Sequence, residues 1–217
     1  MKENQPPAFI GKLPARNRPS YALQRVIVRY ILIFVLFLAA GVMLGNAINE
    51  TYRSDFTSVM IKYFLSTVTQ ERAEMSQRFA EIIRLSLPGI ISVSAVFASG
   101  FTPITRFINS ILSAVLGFFL GLSSILVILN SKNGSISPHE SLTLVLCILL
   151  SAGVSVYLIR LASDAEIFRD KSKICLRCGE RLLFKDFTFR YILSFPMSVC
   201  LILLAGLGKY FIIFLLL

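Results

Sequence analysis

Charge is what this sequence has least of. Only 16% of its 217 residues are Asp, Glu, Lys or Arg, against about 25% in an ordinary soluble domain. The deficit is concentrated in five stretches without a single charge, residues 30–49, 85–105, 107–131, 141–159 and 191–208. No Asp, Glu or His interrupts any of them. An ionisable group at membrane depth is costly and ordinarily marks a proton relay or an ion path, so its absence argues against a proton- or ion-coupled transporter. Also missing are a glycine-rich phosphate loop, a nucleophile elbow, a His-Glu-x-x-His metal helix and paired carboxylates within a run. Ser137 and the only histidine, His139, stand two apart beside Pro138, with no acid placed to orient the ring for catalysis. The chain therefore reads as non-enzymatic and without a cofactor.

What is present is apolar length. Hydrophobic residues make up 55% of the chain and the mean hydropathy is +0.74. A helix needs about 20 mostly apolar residues to cross the hydrocarbon core, and each of the five runs meets or approaches that. One such run could be the core helix of a soluble protein, but five would leave too little polar chain to cover them. The first run starts late and lacks a convincing small-x-small cleavage site, so it reads as a retained helix and not a signal peptide. The expected fold is all-α, a polytopic bundle of five transmembrane helices spanning about 30–49, 85–105, 107–131, 141–159 and 191–210. Lys209 then sits at an interface, with Tyr210 beside it.

The basic residues set the expected orientation. Six Lys/Arg (Lys2, Lys12, Arg16, Arg18, Arg25 and Arg29) precede the first run, and eight lie in 160–190 against five acids. With the N-terminus cytoplasmic, these and Arg106 place 15 of the 22 Lys/Arg inside, as cytoplasmic retention of Lys and Arg requires. The C-terminus is then extracytoplasmic. The net charge of +10 is explained by topology, and no basic patch interleaved with aromatics suggests nucleic acid. Arg29, Arg84, Arg106, Arg160 and Arg190 stand at run ends, where their long side chains can snorkel to the headgroups.

Three longer segments lie outside the runs. Residues 1–25 are basic and carry Pro6, Pro7, Pro14 and Pro19, which predicts a disordered cytoplasmic tail. Residues 51–83 form the outer segment. Its apolar positions, including Phe56, Met60, Tyr63, Phe64, Met75 and Phe79, recur mostly at three- and four-residue intervals, so amphipathic helices are expected there. They would either dock a partner or pack on the end of the bundle. The cytoplasmic loop 160–190 is expected to hold a short helix capped by Asp164, then the pair Cys175 and Cys178 ahead of Gly179. Two thiolates so spaced resemble half of a zinc ribbon. With Cys147 and Cys200 inside runs, one chain cannot complete four ligands. A site shared between two chains, a redox pair and two reduced thiols stay open, and the reducing cytoplasm favours the last.

Within the runs, Gly100, Pro103, Ala114, Gly117 and Gly121 supply small residues and a break. Small residues on one face allow close backbone approach, either within the monomer or against another chain. Pro88, Pro103 and Pro196 are expected to kink or end helices.

The order of these features resembles the stage II sporulation protein M family of five-span bacterial membrane proteins. The resemblance runs from about residue 26 to the end. It rests on Gly100-x-x-Pro103, on Ala114-x-x-Gly117-Phe118-x-x-Gly121, on Ser137-Pro138-His139-Glu140 before the fourth run, and on Phe187-Thr-Phe-Arg190-Tyr191-Ile-Leu before the last. Glu140 stands where that family has glycine, and the Cys175/Cys178 pair is not a feature of it. The resemblance implies a scaffold in the bacterial cell membrane that anchors peptidoglycan hydrolases during engulfment in sporulation, with 51–83 as their docking surface. The alternative is the permease subunit of a transporter with a separate ATPase, coupled through 160–190. Membrane lipid is the other expected partner.

Overall fold

The computed structural model describes residues 19–48, 55, 59, 75–134, 136–178 and 181–216. They form five long helices, α1 (Pro19–Ala47), α2 (Met75–Ser99), α3 (Thr105–Lys132), α4 (Pro138–Cys178) and α5 (Arg181–Leu216). Each contains a stretch long and apolar enough to cross a membrane. The chain therefore has the architecture of an all-α, multi-pass membrane protein.

Its surface supports the same reading. Leu32, Leu36 and Met43 on α1 are each more than 60% exposed, and on α3 the exposed positions Phe107, Ile111, Val115 and Phe119 repeat every four residues. Apolar exposure on this scale is not sustained against water and marks a face turned to lipid. The opposite face of α3 buries Thr105, Asn109, Ser113, Gly117 and Gly121 at the same interval. One face is large and apolar, the other small and polar, which is the pattern of helices packing inside a bilayer.

That small face receives α1. The chain neighbours α1 and α2 make little contact, and α1 packs chiefly on α3. A Cβ on Gly117 would overlap the carbonyl oxygen of Phe34, and one on Gly121 that of Leu38. From the other side, a Cβ on Gly41 would strike the Phe118 carbonyl. Phe34 meets Gly117 and Gly45 meets Ile125, so the two helices run parallel. α2 runs antiparallel to α5, with Phe97 near Tyr191 and Gly89 near Ile202. The main core gathers Tyr30, Val93, Val96, Leu158, Ala165 and Ile202 from four helices.

Several expected boundaries move. α1 begins at Pro19, so residues 19–25 are helical and not disordered tail. Proline is compatible with a first helical position, and nothing in Ser20–Arg29 breaks the helix. α2 ends at Ser99 and not at 105. Gly100, Phe101 and Thr102 donate their amides to the carbonyls of Phe97, Ala98 and Ser99 at 3.1, 3.2 and 2.9 Å, and Thr105 closes the turn by donating its hydroxyl to Ser99 O at 2.7 Å. Residues 75–83 belong to α2 and not to a separate outer segment. α2 and α5 continue through Pro88 and Pro196.

The largest correction concerns 160–190. The expected loop is helix on both sides of residues 179–180. α4 runs 41 residues without interruption, about 60 Å at 1.5 Å per residue, twice the hydrocarbon thickness. No glycine or proline falls between Val154 and Cys178, so nothing stops the helix where its apolar run stops. Asp164 is accordingly no cap. It sits mid-helix, 3.5 Å from Arg160 one turn earlier.

Candidate functional site

Among the described residues the most heavily bonded polar side chain inside the bundle is Glu166 of α4, 1% exposed. Its carboxylate accepts from Arg29 of α1, from the Tyr30 hydroxyl at 2.7 Å, and from Arg106 Nε of α3 at 2.6 Å. Arg106 also reaches Asp170 at 3.3 Å. The formal charges of Arg29, Arg106, Glu166 and Asp170 cancel. A buried carboxylate is tolerable only when paired and hydrogen-bonded, and here its bonds come from two neighbouring helices. The Arg29 guanidinium also lies 4.8 Å from the centre of the Tyr30 ring.

The same end of the bundle is tied by neutral groups. Asn109 donates to the Ala162 carbonyl at 3.1 Å, and the Ser99 hydroxyl lies 3.1 Å from Asn109 Oδ1. Tyr191 stacks on Phe168 at 4.2 Å and on Phe97 at 4.9 Å, and its hydroxyl donates to the Phe97 carbonyl at 3.0 Å. Gly100 lies against that hydroxyl, which a Cβ would displace. Pro103 is exposed at the tip of the turn, and Ala114 is half-buried on α3 beside the glycine stripe.

Glu166 was not among the residues expected to matter, because it lies beyond the charge-free run. The signal was present in the spacing of Leu158, Ala162, Ala165 and Glu166, which continues the buried face of α4 past Ile159. Arg29 and Arg106, expected to snorkel, instead turn to Glu166.

A second polar feature lies toward the other end, between α2, α4 and α5. A cavity of about 220 Å³ is lined by Lys209 and by Ser86, Ser92, Ser151 and Ser155. Each of the four hydroxyls donates to the carbonyl four residues before it. Lys209, expected at an interface, is half-buried there.

The remaining expected residues are dispersed. Phe79 of α2 is 66% exposed. Met75 begins α2, and Phe56, Met60, Tyr63 and Phe64 lie outside the described residues. Cys175 and Cys178 occupy the last turn of α4 and not a turn between elements. Among the described residues no three His, Cys, Asp or Glu side chains gather as a metal site. Ser137 and Glu140 form a reciprocal cap on α4. The Ser137 amide donates to Glu140 Oε2 at 2.9 Å, and the Glu140 amide donates to Ser137 Oγ at 3.3 Å. With Pro138 at the first helical position, this is a capping box, which gives Glu140 and Ser137 a local structural role. His139 is exposed beside it.

No family model matches this sequence, and comparison with curated proteins and with solved structures likewise finds no match.

Proposed function

We propose that this protein is a non-enzymatic membrane scaffold, held in the bacterial cell membrane with its N-terminus cytoplasmic, that presents the segment between α1 and α2 to partners on the outer face. The observation that carries this reading is the rigid joining of α1, α3 and α4. α1 and α3 touch backbone to backbone at Gly41, Gly117 and Gly121, and Glu166 binds both to α4. Alternating access requires bundles to rock past one another, and here rocking would break a buried charge network and unseat glycines that leave no room for slip. A fixed platform suits an anchor.

The resemblance to the sporulation family makes peptidoglycan hydrolases the partners to test first. Residues 75–83 are part of α2, so the informative deletion is 51–74. The deletion variant is expected to remain in the membrane and to lose capture of the hydrolases. Recovery of the same hydrolases by the deletion variant would refute the scaffold reading.

The cavity at Lys209 favours a second reading, a permease subunit working with a separate ATPase. Co-purification with a nucleotide-binding subunit, and ATP hydrolysis lost on Lys209→Ala, would support it over the scaffold.

A further inference from the structure

The helical extension of α4 builds a basic cavity against the α2–α3 turn. The cavity measures about 340 Å³ and is lined by Phe101, Thr102 and Pro103 from the turn and by Arg169, Ser172 and Lys173 from α4. Its volume falls within the range of small-molecule sites, about 300–1,000 Å³. Arg169 and Lys173 are one helical turn apart and so share a face. On the next turn inward, Arg106 and Arg29 are committed to Glu166. Lys171, on another face, lies over the Phe187 ring at 4.8 Å. Arg169 and Lys173 form no ion pair among the described residues. Two cations therefore line one cavity with no carboxylate of the described residues paired to them.

The level of this cavity in the bundle identifies the occupant. Phe101 on its wall and the nearby Ile104 and Phe107 are 54, 55 and 66% exposed, an apolar band suited to acyl chains. Arg169 and Lys173 stand three and seven residues beyond Glu166, about 5–10 Å further along the helix axis at 1.5 Å per residue. With Arg29 and Arg106, at the ends of their charge-free runs, taken as the edge of the hydrocarbon, that distance is headgroup depth. Basic pockets between spanning helices at a membrane surface are suited to phosphate-bearing headgroups, and a guanidinium grips phosphate oxygens in a planar fork.

We propose that this cavity is a binding site for one anionic phospholipid of the adjoining leaflet, its phosphate held by Arg169 and Lys173 and its acyl chain lying along Phe101 and Phe107. The site is distinct from the outer segment that the scaffold reading requires, and it stands if that reading fails.

The test is lipid retention by the full chain purified in detergent, counted by native mass spectrometry with phosphatidylglycerol or phosphatidylcholine as the probe. The wild type is expected to retain one phosphatidylglycerol per chain under conditions that strip phosphatidylcholine. Arg169→Gln with Lys173→Gln is expected to weaken retention about thirtyfold, as the loss of two cations near a membrane surface implies. Arg169→Lys with Lys173→Arg should restore it. Lys171→Gln with Arg190→Gln removes the same charge beside a neighbouring cavity, across Phe168, and should leave retention unchanged. Equal loss in both neutralised pairs would overturn the proposal in favour of a diffuse basic field. Displacement of the lipid by inorganic phosphate at equal concentration would overturn the lipid as the source of the phosphate. Should the double variant not fold, Lys173→Gln alone, at an exposed position, must still lower retention several-fold or the assignment fails.

Discussion

The Tyr30 hydroxyl donates to Glu166 at 2.7 Å across 136 residues of sequence, so the first and fourth helices share one buried carboxylate. Removing the charge leaves Arg29 without its carboxylate partner and Arg106 with Asp170 alone. Breaking a fully buried pair costs about 3–5 kcal/mol, but the two arginines are 40 and 59% exposed. Glu166→Gln is therefore expected to destabilise the protein by about 2 kcal/mol. Tyr30→Phe removes one neutral donor and should cost about 1 kcal/mol. Unfolding of purified protein in mixed detergent micelles measures both. A neutral result for Glu166→Gln would show that the network does not hold the bundle.

Gly117 and Gly121 face carbonyl oxygens of α1, and backbone cannot swing aside as a flexible side chain can. Gly117→Val is expected to cost about 3 kcal/mol, the upper end of overpacking penalties. Gly153 has open space around its would-be Cβ, so Gly153→Ala should instead stabilise by about 0.5–1 kcal/mol through helix propensity alone. Opposite signs at two helical glycines, read from the same unfolding titration, test the parallel α1–α3 packing directly.

Orientation can be read by thiol labelling in a cysteine-free background. Ser20→Cys and Ser172→Cys are expected to react only with reagent on the cytoplasmic side, and Asn133→Cys, in the α3–α4 turn, only with reagent outside. Labelling of positions 20 and 133 from one side would break the alternation on which the five-span topology depends.

The cap on α4 predicts a local effect. Ser137→Ala removes the acceptor for the Glu140 amide and should cost about 1 kcal/mol. Hydrogen exchange is expected to accelerate in the first turn of α4, with the Glu166 end unchanged. Uniform acceleration along the helix would place the cap's contribution elsewhere.

Much of the fold was legible because apolar length is a local property. The five charge-free runs each lie substantially within one of the five helices, and the separation of α2 from α3 near Gly100 and Pro103 was visible as a break. What the runs could not show was where a helix ends once it leaves lipid. Charge density in 160–190 suggests a loop, yet Glu, Arg, Lys and Ala are good helix formers, and α4 continues to Cys178. Glu166 is hidden for the same reason, since a charged residue in a loop would be solvated. Gly41 is hidden for another reason. It looks like any glycine in an apolar helix until Phe118 is placed against it.

The sequence by itself determined that five segments are long and apolar enough to cross a membrane, because transfer of some twenty apolar residues from water is a sum over neighbours along the chain. It also determined the basic bias by which their orientation is read. Only the tertiary structure decided that α1 lies on α3 and not on α2, that Arg29 and Arg106 converge on Glu166, and that Arg169 and Lys173 line a cavity with the α2–α3 turn. Those are distances between residues far apart in sequence, and the order of residues carries no term for them until the helices pack.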